Sequence, residues 1–332
     1  MTGVADRATV RVAVGVLQRP DGQVLVAERT ADRHAGGGLE FPGGKCDAGE
    51  AATDALDREL AEELGIAVQH AEPLIRVRHA YADRSVELDT YRVDAWRGTP
   101  RGAEGQAVHW RRVDALSADD FPAANRPIIA ALHWPACCLV TPDRDAVPDP
   151  DALFAGVEAA LARGTVGAVQ LRRADRGSGE WWSLVERLAL LCDDHGARLL
   201  VNADPASADA LPSGAGLHLR SAALARLDRR PVAAGVPLSC SAHDAAELRA
   251  AAAIDVDCAF LGPVHPTVSH PGAAALGWPG FAELAAVSAV PLYALGGLGP
   301  EALARARRAG AIGVAGIGRF WSGSGEAVGG PG

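Results

Sequence analysis

Between residues 138 and 315 the chain repeats one pattern eight times: a short apolar run, then a segment mostly long enough for a helix. The runs fall at 138–141, 168–171, 199–202, 216–219, 238–241, 258–262, 292–295 and 312–315. Helical stretches lie between them at 152–163, 181–195, 242–253, 281–287 and 300–309. Strands this short and this uniformly apolar suit a parallel sheet covered by helices. Eight of them in about 180 residues predict a compact (β/α)8 barrel, with an open doubly wound sheet as the alternative.

The first 134 residues follow no such rule. Residues 10–17 and 24–28 read as strands joined by the turn Gln18-Arg-Pro-Asp-Gly-Gln23, and further strands are expected at 74–81, 86–96 and 107–110. A glycine-rich loop, Gly36 to Gly44, leads into a helix from about residue 50 to Leu64, and 126–132 reads as a closing helix. The expectation is a two-domain α/β chain: a mixed sheet with packed helices over 1–134, a barrel over 135–320, and a flexible glycine-rich tail over 321–332.

Charge and composition narrow the function classes. The net charge of -9 argues against a nucleic-acid polymer as partner, since such affinity leans on Lys and Arg. No apolar stretch is long enough for a membrane span, and the charged N-terminal residues do not read as a signal peptide. The six cysteines form no CxxC pair and read as small buried hydrophobes in a reducing cytoplasm.

Gly44-Lys-Cys-Asp-Ala-Gly-Glu50 is followed, after seven residues, by Arg58-Glu-Leu-Ala-Glu-Glu-Leu-Gly-Ile66. On a helix Glu59, Glu62 and Glu63 share one sector beside a stripe of Leu56, Leu60 and Leu64. Leucines that bury the helix leave like charges gathered at its edge, where a cation would offset their repulsion. Oxygen ligands beside a phosphate suit Mg2+, with Mn2+ as a substitute. Gly43 can add a backbone carbonyl, and Glu50 with Arg58 can brace loop against helix. An isolated acidic cluster would read as a solvated helix face; the leading glycines, Glu50 and Arg58 in one pattern argue against that.

Over 44–66 the residues match the Nudix hydrolase signature G-x5-E-x7-R-E-U-x-E-E-x-G-U at every position, and the surrounding domain resembles the MutT branch of 8-oxo-dGTP diphosphatases. The resemblance implies an α/β/α sandwich and Mg2+-dependent release of pyrophosphate from a nucleoside triphosphate by water attack at the β-phosphorus. It places Arg29 on phosphate, His34 and Phe41 around the nucleoside, and Asn125 on the oxidised base, whose edge an amide can meet with both a donor and an acceptor. It adds Glu104 as a metal-contacting or base carboxylate, second to Glu59 as the group that takes the water proton. Other nucleoside triphosphates or ADP-ribose remain alternative substrates.

The region from about 138 to 320 resembles thiamine-phosphate synthase and the TenI proteins through Gln170-Leu-Arg172, Gly216-Leu-His-Leu219, Gly262-Pro-Val-His-Pro-Thr267 and Gly296-Gly297. Gly296, Gly297 and Gly316 are the expected phosphate-cradling strand ends, and His265 and His270 are candidates for proton transfer or ligand contact. The sequence departs from the synthase pattern where Asn-Asp-Arg becomes Asn202-Ala203-Asp204, where Arg220-Ser-Ala-Ala223 lacks an Asp, and where His270 replaces a Lys. These departures fall on the groups that the resemblance assigns to Mg2+ and pyrophosphate, and predict a barrel that binds a thiamine-related phosphorylated ligand but synthesises poorly, as a metabolite-sensing regulator, a tautomerase-like enzyme or a scaffold.

Overall fold

The computed structural model describes residues 9–29, 38–81, 84–173, 177–267 and 274–321. The chain separates into two compact units, Met1–Trp134 and Pro135–Gly332.

In the first unit, β1 (Thr9–Leu17), β2 (Gln23–Glu28), β3 (Leu39–Glu40), β4 (Gly43–Lys45), α1 (Ala52–Leu64), β5 (Ala67–Ala80), β6 (Ser85–Arg97), β7 (Val108–Arg112) and α2 (Arg126–His133) follow in order. They build a four-stranded mixed sheet, β4-β1-β6-β5, and a three-stranded sheet, β3-β2-β7. β1 pairs parallel with β6 and antiparallel with β4, which carries Gly43 and Gly44 to the sheet edge beside α1.

Leu56, Leu60 and Leu64 of α1 are buried against Ala13, Leu17 and Val93. Each such leucine contributes roughly 1.5–3 kcal/mol relative to exposure, which fixes the rotation of α1 and hence the direction its carboxylates face. Gly65 ends the helix at φ 68°; its N–H donates to the Ala61 carbonyl and the following Ile66 N–H to that of Leu60.

Two strand boundaries differ from the sequence expectation. β5 begins at Ala67 rather than 74, because bulges at Val68–His70, His70–Ala71 and Pro73–Ile75 interrupt the two-residue alternation that marks a strand. The glycine-rich loop also contains β3 and β4, whose two or three residues are too few to show a period.

In the second unit β8 (Cys137–Val140), β9 (Ala168–Leu171), β10 (Arg198–Asn202), β11 (Gly216–Leu219), β12 (Leu238–Ala242), β13 (Cys258–Leu261), β14 (Leu292–Leu295) and β15 (Gly313–Gly316) form a closed parallel barrel. This is the expected architecture, and the open-sheet alternative falls because β15 pairs with β8. Around it lie α3 (Pro150–Ala162), α4 (Gly179–Asp194), α5 (Ser221–Leu224), α6 (Ala245–Ala253), α7 (Gly277–Val287), α8 (Leu303–Arg308) and α9 (Gly318–Trp321).

Capping residues set several helix starts. Asp149 accepts from Asp151 N–H, Ser178 from Trp181 N–H, and Asp244 from the N–H groups of Ala246 and Glu247. The Asp244 cap delays α6 to 245, leaving Ala242 in β12. α7 begins four residues before expectation, with Pro279 in its first turn, where the missing N–H costs nothing. Trp321, assigned to the tail by composition, closes α9 and packs against Gly156 of α3, where a Cβ would overlap the indole. The remaining tail residues, 322–332, lie outside the described residues, as do His34 and His270.

Candidate functional site

The loop from β4 into α1 is fastened to the helix by one arginine. Arg58 Nε donates to Glu50 Oε1 at 3.1 Å and Nη2 to Glu50 Oε2 at 3.0 Å, forming a two-pronged pair. Nη2 also reaches the Lys45 carbonyl at 3.0 Å, while Nη1 donates to Glu59 Oε1 at 2.9 Å. The bonds to Glu50 and then Glu59 raise the Arg58 pKa; those from Arg58, then the Asp47 N–H, lower that of Glu50. The bracing expected from sequence is thus present in the geometry.

Glu59, Glu62 and Glu63 do share an edge of α1, but their surroundings differ. Glu63 is 7% exposed and accepts from Gly43 N–H at 3.0 Å; Glu59 is 16% exposed and Glu62 60%. Gly43 therefore bonds through its N–H, a role its glycine identity did not signal. Its φ of 142° and its closeness to the Ala13 carbonyl leave no room for a side chain. At Gly44 a Cβ would overlap the Glu59 carboxylate.

Among the described residues no group of three or more His, Cys, Asp or Glu side chains is arranged to hold a metal. Glu59 is turned onto Arg58 and Glu63 onto Gly43. The donor chemistry nonetheless fits a hard divalent ion: carboxylate oxygens at the edge of a rigid helix, with the side-chain-free Gly44 backbone against one of them.

Glu104 is exposed on a turn tied to the end of α1. Ala103 N–H and Gln106 Nε2 both donate to the Glu63 carbonyl, at 2.9 and 3.1 Å. Gln106 was missed by sequence reasoning; nothing in a lone Gln signals such a tie.

Of the residues assigned to the nucleoside, Phe41 is buried and stacks on Phe121 at 5.1 Å between centroids. Phe121 was also missed, although it sits in the same run as Asn125. Asn125 is 8% exposed at the N-cap position of α2, and its side chain makes no capping bond. Arg29, expected on phosphate, is ion-paired with Glu40 at 2.6 Å.

The barrel holds a cavity of about 670 Å3 at the C-terminal ends of its strands. Gly296, Gly297 and Gly316 line it as expected; Gly296 and Gly297 have φ of 114° and 67°, conformations that favour glycine. Arg172, Arg173, Arg220 and Arg319 also line it, with Asp143, Asn202, Ser241 and His243. Most of these went unassigned because strand-end polar residues carry no period.

His265 is not among the lining residues: it is exposed, its ring edge-on to Trp278 at 6.1 Å. Asp204 accepts from Ala206 N–H at 3.0 Å and caps a short 3-10 turn, while Ala203 is buried. Below the cavity His218 bonds to Ser239 and Ser241, each at 2.9 Å, and burial lowers its pKa to about 3, keeping it neutral.

A NUDIX domain model matches residues 13–131, and a thiamine monophosphate synthase model matches 137–320. An 8-oxo-dGTP diphosphatase of Escherichia coli is 41% identical over 123 residues, covering 37% of this chain and 95% of that protein. A CTP pyrophosphohydrolase of the same organism is 31% identical, covering 37% and 90%. A putative thiamine-phosphate synthase of Geobacter sulfurreducens is 39% identical over 169 residues, covering 49% and 76%. With the braced loop and helix in the first unit and the closed barrel in the second, the chain belongs to the Nudix hydrolases of the MutT type through its N-terminal unit and to the thiamine monophosphate synthase family through its C-terminal unit.

Proposed function

We propose that the N-terminal unit hydrolyses 8-oxo-dGTP to 8-oxo-dGMP and pyrophosphate. Water attacks the β-phosphorus, and the bond from that phosphorus to the oxygen bridging to the α-phosphate breaks, leaving that oxygen on the monophosphate. Glu59, Glu62, Glu63 and Glu104, with the Gly43 carbonyl, would hold Mg2+ or Mn2+, whose charge offsets that of the triphosphate and the departing pyrophosphate. Glu59 is the first choice to take the proton from water and Glu104 the second. Arg58 and Glu50 position Glu59 through the bonds described above.

The observation that carries the substrate is the buried Asn125 amide with no capping bond, in the same unit as the stacked Phe41 and Phe121. An amide that caps nothing is available to pair with a purine edge, and an aromatic face suits a base. Phe41 and His34 enclose the nucleoside in this reading. Arg29, paired with Glu40 through Nη1, would contact phosphate in competition with that ion pair or through its remaining donors. A CTP pyrophosphohydrolase among the relatives keeps other nucleoside triphosphates as the second reading.

For the barrel the reading is a phosphorylated small-molecule ligand, thiamine-related, cradled by Gly296, Gly297 and Gly316, with thiamine phosphate synthesis weak or absent. His265 and His270 remain the proton-transfer assignment, against which His265 stands outside the cavity lining. No described helix is long and apolar enough to cross a membrane, and the nucleotide substrate fits a cytoplasmic location.

Product analysis of the full chain against 8-oxo-dGTP, dGTP, CTP, ADP-ribose and the thiamine precursors, with Mg2+, tests both units. In Asn125→Ala, kcat/KM should fall more for 8-oxo-dGTP than for dGTP. An equal fall on both would refute base reading by Asn125.

A further inference from the structure

The chain carries net charge -9, yet the barrel cavity is cationic: among the described residues four arginines line it against one carboxylate, Asp143. These arginines are not equivalent. Arg173 is buried and gives its Nη1 and Nη2 to the Val147 and Pro148 carbonyls at 3.1 and 3.3 Å. Arg319 is paired with Glu301 at 2.6 Å, and Arg172 lies 4.0 Å from Asp143. Arg220 is exposed at the cavity and has no side-chain hydrogen bond or ion pair among the described residues.

Its position follows from topology. β11 is the fourth strand of the ring and β15 the eighth, so the end of β11 lies across an eight-stranded mouth from the end of β15. Arg220 immediately follows β11, while Gly316 ends β15 and Gly296 follows β14. Arg172 follows β9, two strands round the ring from β11 and two from β15. The mouth therefore has glycine backbone at the ends of β14 and β15, with Arg220 across from the end of β15 and Arg172 between the two positions on the ring.

A divalent ion, which the synthase resemblance implies at the ends of the third and fourth strands, does not fit here. Ala203 is buried without a donor, Asp204 spends a carboxylate oxygen on its cap, and Arg220 opens a segment with no acid through Ala223. A cation placed beside Arg220 would meet repulsion instead of ligands.

We propose that the barrel binds a diphosphate-bearing small molecule without a metal ion, and that Arg220, with Arg172, supplies the charge a divalent ion would otherwise bring. A guanidinium stays protonated throughout the working pH range and pairs with phosphate oxygens through two parallel N–H donors. Two such groups match the two phosphorus centres of a diphosphate. The proposal rests on the reading that the barrel takes a phosphorylated ligand.

The test is calorimetric titration of the full chain with inorganic diphosphate in excess EDTA, repeated with Mg2+ in place of EDTA. The expected result is binding in EDTA, weakened at least about tenfold, 1.4 kcal/mol, in Arg220→Ala and partly restored in Arg220→Lys, which keeps the charge and loses the fork. The thermal unfolding midpoint without diphosphate should be the same in all three proteins, because Arg220 is exposed and has no side-chain partner among the described residues. Binding that appears only with Mg2+, or that is equal in Arg220→Ala and wild type, overturns the inference while leaving a phosphorylated ligand in place. Binding lost in Glu63→Gln but kept in Arg220→Ala assigns it to the other unit and overturns it equally. Failure of diphosphate to bind under either condition overturns both the inference and the reading beneath it.

Discussion

Replacing Gly44 by alanine should separate catalysis from stability. The new Cβ would overlap the carboxyl carbon and both oxygens of Glu59, with no backbone atom among its nearest neighbours. Gly44 is not among the glycines at positive φ, so alanine meets no conformational penalty there. The overlap is relieved when the flexible end of Glu59 swings aside, breaking its 2.9 Å bond from Arg58. That bond joins partners 32% and 16% exposed, so solvent screening keeps its loss below about 1 kcal/mol. Alanine restricts the unfolded chain and returns roughly 0.4–1 kcal/mol, leaving stability nearly unchanged.

Catalysis has no such compensation. Moving a positioned group by about 1 Å costs on the order of 100-fold, close to 2.7 kcal/mol of transition-state free energy. The assay is initial-rate hydrolysis of 8-oxo-dGTP with saturating Mg2+, run beside urea denaturation of the same preparation. Turnover within about twofold of wild type would refute the placement of Glu59 in the chemistry. A stability loss above about 3 kcal/mol would show that the backbone, and not the Glu59 side chain, gives way.

Glu63→Gln keeps an oxygen for the Gly43 N–H and should fold normally, while Glu62→Gln alters an exposed side chain; hydrolysis by either should fall at least about tenfold, and near-normal rates in both would remove them from the metal cluster. His218 predicts a pH dependence in the barrel. Its folded pKa of about 3 lies below the ordinary imidazole value of 6.5, so the unfolded chain binds the extra proton between them. Stability is then fully present above about pH 6.5 and declines toward pH 3, with about 2 kcal/mol lost from pH 7 to pH 5. The opening free energy of β11 amides from hydrogen exchange should show that loss, and a His218→Gln variant with an equally steep dependence would refute His218 as its source.

The two fold classes were legible because each rests on repetition or spacing that survives in one dimension. Eight apolar runs separated by helix-sized segments specify a parallel ring, and the leucine stripe of α1 specifies which side of that helix is buried. The loop-to-helix brace was readable for the same reason: Glu50 and Arg58 lie eight positions apart, close enough that local geometry brings them together. β5 was misplaced at its start because bulges erase alternation, and Trp321 because glycine-rich composition around it conceals one packed indole.

What the sequence by itself determined is chemistry at fixed local spacing: Gly44, Glu50, Arg58 and the α1 carboxylates, and the glycines at the ends of β14 and β15. Only the tertiary structure decided which polar groups are already engaged. It pairs Arg29 with Glu40 across β2 and β3, turns Glu63 onto Gly43 from twenty positions away, and keeps His265 out of the cavity lining. It also brings arginines from three separate strand ends to one cavity and leaves Arg220 unpaired among the described residues. Side-chain pairing depends on distances through space between segments far apart in the chain, and residue spacing along the chain carries no record of those distances.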